Sequence, residues 1–206
     1  NVHFRRALSL AIDRKSISRA LAFDLMTPIG ASWAMDSPYF DEGSAYLYSE
    51  YDPKRARKIL DDAHIVDRDG DGIRELPSGE KLELIWDMYA HDLYTPMSEM
   101  IVATVGEVGI KLILNEAHQT LFRKNKDAGN YEMSTHDFTD YNEPLLAIEQ
   151  WIPTKPGSPD FHKDAYQKGP FSPEYDEFCK LLRKASTSSI KEGIELGKIA
   201  GKIMAE

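Results

Sequence analysis

The sequence predicts an α/β fold: one lobe over residues 1–206, with a parallel βαβαβ core and additional helices before and after it. Three observations predict this. Strand-like apolar runs at 81–88, 110–114 and 131–136 alternate with helical patterns at 96–108 and 120–126. Strands separated by helices at this spacing pair in parallel through right-handed crossovers. The length of 206 residues, with 42% hydrophobic and 29% charged residues, is that of an ordinary globular chain able to bury a sizeable core.

The elements follow in order. Phe4, Leu8, Ala11 and Ile12 recur at helical spacing, with Arg5, Arg6 and Asp13 largely off that face, which predicts a helix over 3–21. Residues 27–50 turn to Pro, Gly, Ser and aromatics and predict a long irregular segment, which either wraps the surface or lines a site. Within it, Trp33, Tyr39 and Phe40 are read as rings that either pack against the domain or face a ligand. Asp52 and Pro53 open the next helix: Asp52 suits the N-cap, and Pro53 suits the first turn, where its missing N–H costs nothing. Ala56, Ile59, Leu60 and Ala63 are its buried stripe.

After the strand at 81–88, Met97, Met100, Ile101, Thr104 and Val105 form one face of the helix over 96–108, and Gly109 ends it. Gly129-Asn130 makes a turn before the third strand, and Pro144 starts a short helix to residue 151. Pro153, Pro156, Gly157 and Pro159 mark a loop lasting until about residue 173. Helices over 174–185 and 190–204 close the chain. Gly193, Gly197 and Gly201 recur every four residues in the last one, and the charges among them exclude a membrane helix, so they predict close packing on another helix.

Bulk charge and composition exclude several functions. Acidic residues outnumber basic ones 34 to 25, a net charge of −9 that repels a phosphate backbone and argues against a nucleic-acid partner. No apolar run approaches the ~20 residues of a membrane-spanning helix. The single Cys179 excludes an internal disulfide and a zinc cage of several thiolates. Both ends read as cut from a longer polypeptide: no leader precedes the first helical pattern, and the last one stops without a terminator.

Chemistry concentrates in residues 131–144, Tyr-Glu-Met-Ser-Thr-His-Asp-Phe-Thr-Asp-Tyr-Asn-Glu-Pro. The first half alternates as a strand, and the second crowds Asp137, Asp140, Asn142 and Glu143 among Phe138, Tyr141 and the helix-starting Pro144. Polar acceptors beside rings at the carboxyl end of a strand suit a ligand crevice in an open α/β sheet. An acidic turn that caps the next helix is the plainer reading. His118, just after the second strand, is a candidate from the neighbouring strand end.

A second acidic cluster lies at 67–75. Asp67, Asp69, Asp71 and Gly72 match the first half of an EF-hand calcium loop. Its second half departs, with Ser78 at the twelfth position and Arg74 at the eighth. The loop is read either as a structural Ca²⁺ site or as a tight turn into a hairpin, and no other cofactor is expected. Enzymatic patterns are weak: there is no His-Glu-x-x-His pair, nucleophile elbow or phosphate loop. A hydrolase using Asp137, Asp140 and His136 is the remaining catalytic alternative.

Four stretches together resemble a known family. Residues 2–14, Val-His-Phe-Arg-Arg-Ala-Leu-Ser-Leu-Ala-Ile-Asp-Arg, are similar to its helix V-R-x-A-(L/I)-x-x-A-I-D-R. Residues 51–60, Tyr-Asp-Pro-Lys-Arg-Ala-Arg-Lys-Ile-Leu, are similar to its Y-D-P-x-x-A-x-x-L-L helix. Asp-Gly-Asp-Gly-Ile-Arg-Glu at 69–75 and Gly109-Ile110-Lys111 follow in the right order. The chain thus resembles the extracytoplasmic solute-binding proteins of ABC importers, family 5, of the oligopeptide and dipeptide type.

The resemblance implies a periplasmic-binding-protein-like lobe (type II, large cluster), the second and C-terminal lobe of a two-lobe protein whose first lobe is absent. It implies binding without catalysis, ABC permease subunits as partners, and a periplasmic or membrane-anchored extracellular location. Asp140-Tyr-Asn-Glu-Pro is similar to the segment whose Asp receives a peptide's α-ammonium, which assigns that role to Asp140, with Tyr141, Asn142, Asp137 and His136 around it. The ligand-facing Trp three residues before that Asp in peptide binders is here Asp137. Residues 151–185 resemble oligosaccharide-carrying branches, for which Trp33, Trp86 and Trp151 would offer stacking platforms, core packing being the plainer reading for Trp86 on its strand. One lobe presents half of such a site, so feeble affinity is expected of this chain alone.

Overall fold

The computed structural model describes residues 2–128, 130–135, 143–146, 148, 151–152 and 172–206. They fall into two compact units, each assembled from separated stretches of sequence. The first comprises Asn1–Pro28, Tyr48–Lys126 and Asn130–Thr135; the second comprises Ile29–Leu47, Asp127–Gly129 and His136–Glu206.

The first unit holds the sheet. β1 (Glu83–Tyr89), β2 (Lys111–Ala117) and β3 (Met133–Ser134) lie in the order β2-β1-β3, with β1 parallel to both neighbours. The helix over Tyr94–Gly106 joins β1 to β2, and that over Gln119–Asp127 joins β2 to β3, as the alternating pattern predicts. The third strand is shorter than the six residues expected. At its start the Glu132 carboxylate, rather than a backbone carbonyl, accepts the Ile85 N–H at 2.7 Å. At its end Thr135 donates its N–H to the Asp87 carbonyl at 3.2 Å.

Alternation along β1 sends Leu84, Trp86 and Met88 to one face and Ile85, Asp87 and Tyr89 to the other. Trp86 joins a core with Leu112, Ile101 and Val105, together with Ala7, Leu10, Ala56 and Leu60 from the helices earlier in the chain. Burying each of the Leu, Ile and Val side chains stabilises the unit by about 1.5–3 kcal/mol. On the other face Ile85 and Ile113 are register partners, both exposed.

The helix expected over 3–21 is two helices, Val2–Leu10 and Arg14–Ala22. The break has a local cause: Asp13 accepts the Ser16 N–H and starts a new helix, while Arg14 turns back and donates to the Ser9 carbonyl at 2.7 Å. The next long helix, Pro53–Asp62, starts as read, with Asp52 accepting the Arg55 N–H at 2.9 Å. The loop after it forms antiparallel bridges Val66↔Glu75 and Glu75↔Lys81. Inside it Arg74 is buried and donates to the Val108 and Ile65 carbonyls and to Asp61. Gly109 has φ +83°, and a Cβ there would lie 2.8 Å from Arg74 Cγ, so glycine alone fits.

The second unit packs the helices Pro173–Ala185 and Ile190–Ala205 against each other, and each begins at a serine cap, Ser172 and Ser189. A short helix, Glu42–Ala45, interrupts the otherwise irregular 29–47 stretch. The core gathers Trp33, Tyr39, Trp151, Ile152, Phe178, Cys179, Leu182 and Ala200. Of the expected helix over 144–151, residues 144–146, 148 and 151 are described, as turns and a 3-10 residue, and the loop to residue 173 falls mostly outside the described residues.

Candidate ligand-binding site

Strand order locates the site. The chain leaves β1 for β2 on one side and later returns to place β3 on the other. The strand order therefore reverses between β1 and β3, and the carboxyl edge of the sheet at such a switch point is where open parallel sheets hold ligands.

Rings and polar groups meet at this edge. Tyr89 ends β1, with the Tyr94 ring 5.8 Å and the Phe122 ring 5.4 Å from its centroid. His91 stacks on Tyr94 at 4.3 Å, and its Nδ1 accepts the Leu93 N–H. Thr95 donates to the Glu116 carboxylate at 2.9 Å. Two residues inside the edge, Asp87 is buried and accepts the Asn115 side-chain amide at 2.6 Å. Thr135, just beyond β3, bonds the Trp86 indole N–H through its hydroxyl at 2.9 Å. Ring faces, a carboxylate and a hydroxyl at one edge are groups that can hold a polar solute.

The residues read from sequence are distributed as follows. His136, Asp137, Asp140, Tyr141 and Asn142 lie outside the described residues; they follow Thr135 directly in the chain. His118 is exposed beyond β2, and its Nδ1 accepts the Thr120 N–H in the first turn of the next helix.

Trp33 is corrected from a ligand-facing ring to a core ring. It is 1% exposed, donates to the Gly197 carbonyl at 2.9 Å, and meets Trp151 edge-on at 4.8 Å. Trp86 and Trp151 are also buried, so none of the three indoles offers an open stacking platform. Tyr89, His91, Tyr94 and Glu116 were missed by sequence reasoning. The available signal was their position just before or after a predicted strand end, the place where the topology rule looks for ligands.

The acidic loop is a separate cluster of the first unit. Asp67 accepts the Gly70 and Gly72 N–H groups at 2.7 and 2.9 Å, Asp69 that of Asp71, and Asp71 that of Ile73. The Lys81 ammonium bonds Asp71 and lies 3.2 Å from Asp69. That ammonium, with the Ile73 N–H, holds the Asp71 carboxyl below the ordinary carboxylate range, and the two aspartates push Lys81 up.

A three-stranded parallel sheet with its switch point between β1 and β3 defines an α/β binding domain, and the fold is that of type II periplasmic binding proteins. The chain belongs to the bacterial extracellular solute-binding proteins, family 5 Middle, which it matches over residues 1–157. It is 25% identical over 203 residues to the periplasmic alpha-galactoside-binding protein of Rhizobium meliloti, covering 92% of this chain and 28% of that protein. Among solved structures, the oligopeptide-binding protein OppA superposes at a TM-score of 0.86 with 26% identity, over 100% of this chain and 36% of its own. The stachyose complex of MelB from Agrobacterium fabrum superposes at 0.85 with 19% identity, over 100% of this chain and 32% of its own. The chain therefore spans about a third of the length of these relatives. The family and these neighbours are binding proteins. Among the described residues no helix is long and apolar enough to cross a membrane.

Proposed function

We propose that this chain is most of the second lobe of the substrate-binding component of an ABC importer. The whole protein captures oligopeptides or dipeptides outside the cytoplasmic membrane by closing two lobes over them, hands them to permease subunits, and catalyses nothing. The observation that carries this reading is the carboxyl edge of β1 and β3, which runs directly into the acidic segment 136–143 in a chain of this family.

Asp140 receives the peptide's α-ammonium in this reading, with Asp137, Tyr141, Asn142 and His136 beside it. A carboxylate in a closed, water-poor cleft gains strongly from a complementary ammonium and is costly there without one. Replacing Asp140 by Ala in the full-length protein is expected to weaken binding of a peptide with a free amino terminus by roughly 2–5 kcal/mol. Calorimetry with the free and the N-acetylated peptide checks this, because acetylation removes the same charge and the two losses do not add. A wild-type protein that binds both peptides equally contradicts the ammonium role.

A second reading, oligosaccharide capture, is favoured by the name of the galactoside-binding relative and by Asp137 standing where peptide binders place an aromatic ring. For a neutral sugar, Asp140→Ala matters far less, since no ionic partner is lost.

A further inference from the structure

In the loop after Asp62, one oxygen each from Asp67, Asp69, Asp71 and Glu75 lies within 4.8 Å of every other. Three of these residues are exposed, and exposed acids gather without consequence on many proteins. Glu75 differs. Its side chain is only 8% exposed, its Oε2 accepts the Arg68 N–H at 2.7 Å and lies 3.9 Å from the Arg68 guanidinium, and its Oε1 is buried with no hydrogen-bond partner. Leaving a buried acceptor unsatisfied costs about 1–3 kcal/mol, and more for a charged one. A cation shared with the three neighbouring aspartates removes that cost.

We propose that Asp67, Asp69, Asp71 and Glu75 hold a calcium ion. Four carboxylates and no nitrogen or sulfur ligand make a site for a hard cation. Their spacing is that of positions one, three, five and nine of an EF-hand loop, and Gly72, with φ +89°, occupies the sharp turn at position six. Position twelve is Ser78, so the usual bidentate glutamate is missing and Glu75 is the buried anchor in its place. With that ligand gone, affinity falls in the weak range of about 10⁻⁴–10⁻³ M. Magnesium demands near-ideal octahedral geometry and sheds water reluctantly, which a loop of this kind does not meet.

Lys81 is the competitor. Its ammonium bonds Asp71 and approaches Asp69, yet it does not satisfy Glu75 Oε1, and at 40% exposure its stem is free to release the head to water. Because Glu75 bridges to both Val66 and Lys81, an ion on its carboxylate ties the loop to the chain that leads into β1.

Calorimetry and thermal melts of chelator-stripped full-length protein with CaCl₂ test the proposal, and no solute is needed, so failure here leaves solute capture standing. One saturable site is expected, with a rise in Tm and a response to MgCl₂ weaker by about tenfold or more. Glu75→Gln and Asp69→Asn are each expected to weaken calcium by about tenfold or more, and Lys81→Met to tighten it. A flat calcium titration of the wild type to about 10 mM overturns the site. So does calcium binding that neither Glu75→Gln nor Asp69→Asn changes. Should Glu75→Gln fail to fold, the wild-type and Lys81→Met titrations decide alone.

Discussion

Asp13 sits where one apolar stripe conceals two helices. Its Oδ1 accepts the Ser16 N–H at 3.0 Å and its Oδ2 accepts the Ser16 hydroxyl at 2.6 Å. Burial pushes this carboxyl up, but the Ser16 hydroxyl and the Ser16 and Lys15 N–H groups outweigh it and hold the carboxyl below its ordinary value of 3.8. Asp13→Ala is expected to cost about 1 kcal/mol in a urea melt near neutral pH, the usual worth of an N-cap. Because the folded-state value is depressed, the ionic part of this contribution is fully present above 3.8 and fades as pH falls through the lower folded value. The gap between wild type and Asp13→Ala therefore narrows on acidification, and a gap that widens contradicts the capping role. Nothing in the apolar spacing of residues 4–12 revealed this break. Asp13 was read only as a charge off the buried face, because periodicity reports which side is buried and not where a side chain competes for the backbone.

At the scale of one element, the glycines of the last helix separate what spacing shows from what it cannot. Their four-residue recurrence predicts a close approach, and each of them receives one. A Cβ on Gly193 would lie 3.0 Å from the Ala185 carbonyl of the neighbouring helix, as expected. One on Gly197 would lie 2.4 Å from the Tyr39 ring, and one on Gly201 2.6 Å from the Trp33 indole nitrogen. Two of the three partners are thus rings from the irregular 29–47 stretch, since a repeat names a face and not its occupant. The Trp33 indole is pinned by its bond to the Gly197 carbonyl and has little room to yield. Gly201→Ala is therefore expected to destabilise by about 1–3 kcal/mol through overpacking, in spite of the better helix propensity. Gly106→Ala, with nothing within 4 Å of the new methyl, is expected to be neutral or to stabilise by up to about 1 kcal/mol. Paired thermal melts check the contrast, and a stabilised Gly201→Ala contradicts the packing account.

For the molecule as a whole, the βαβαβ core was legible because its helices and strands carry different apolar periods along the chain. The order β2-β1-β3 was not, because pairing among three apolar strands is a long-range choice that no local pattern records. The same limit hid most of the candidate site. Tyr89, His91 and Tyr94 are near neighbours in the chain, but Glu116 and Phe122 reach them only once β2 has paired with β1. The aromatic platforms failed for a related reason: Trp33, Trp86 and Trp151 are as suited to a core as to a sugar, and burial alone distinguishes the two. The segment 136–143 was found early because its polar crowding is contiguous, and its assignment to a captured solute rests on the family and on the strand order.

That assignment is tested most directly by mass spectrometry of the full-length protein, first under native conditions and then after unfolding. The account predicts a non-covalent peptide, or on the second reading an oligosaccharide, released on unfolding with its mass unaltered by prolonged incubation. A solute that this protein cleaves or modifies contradicts it, as does a protein that takes up neither peptides nor oligosaccharides when they are supplied.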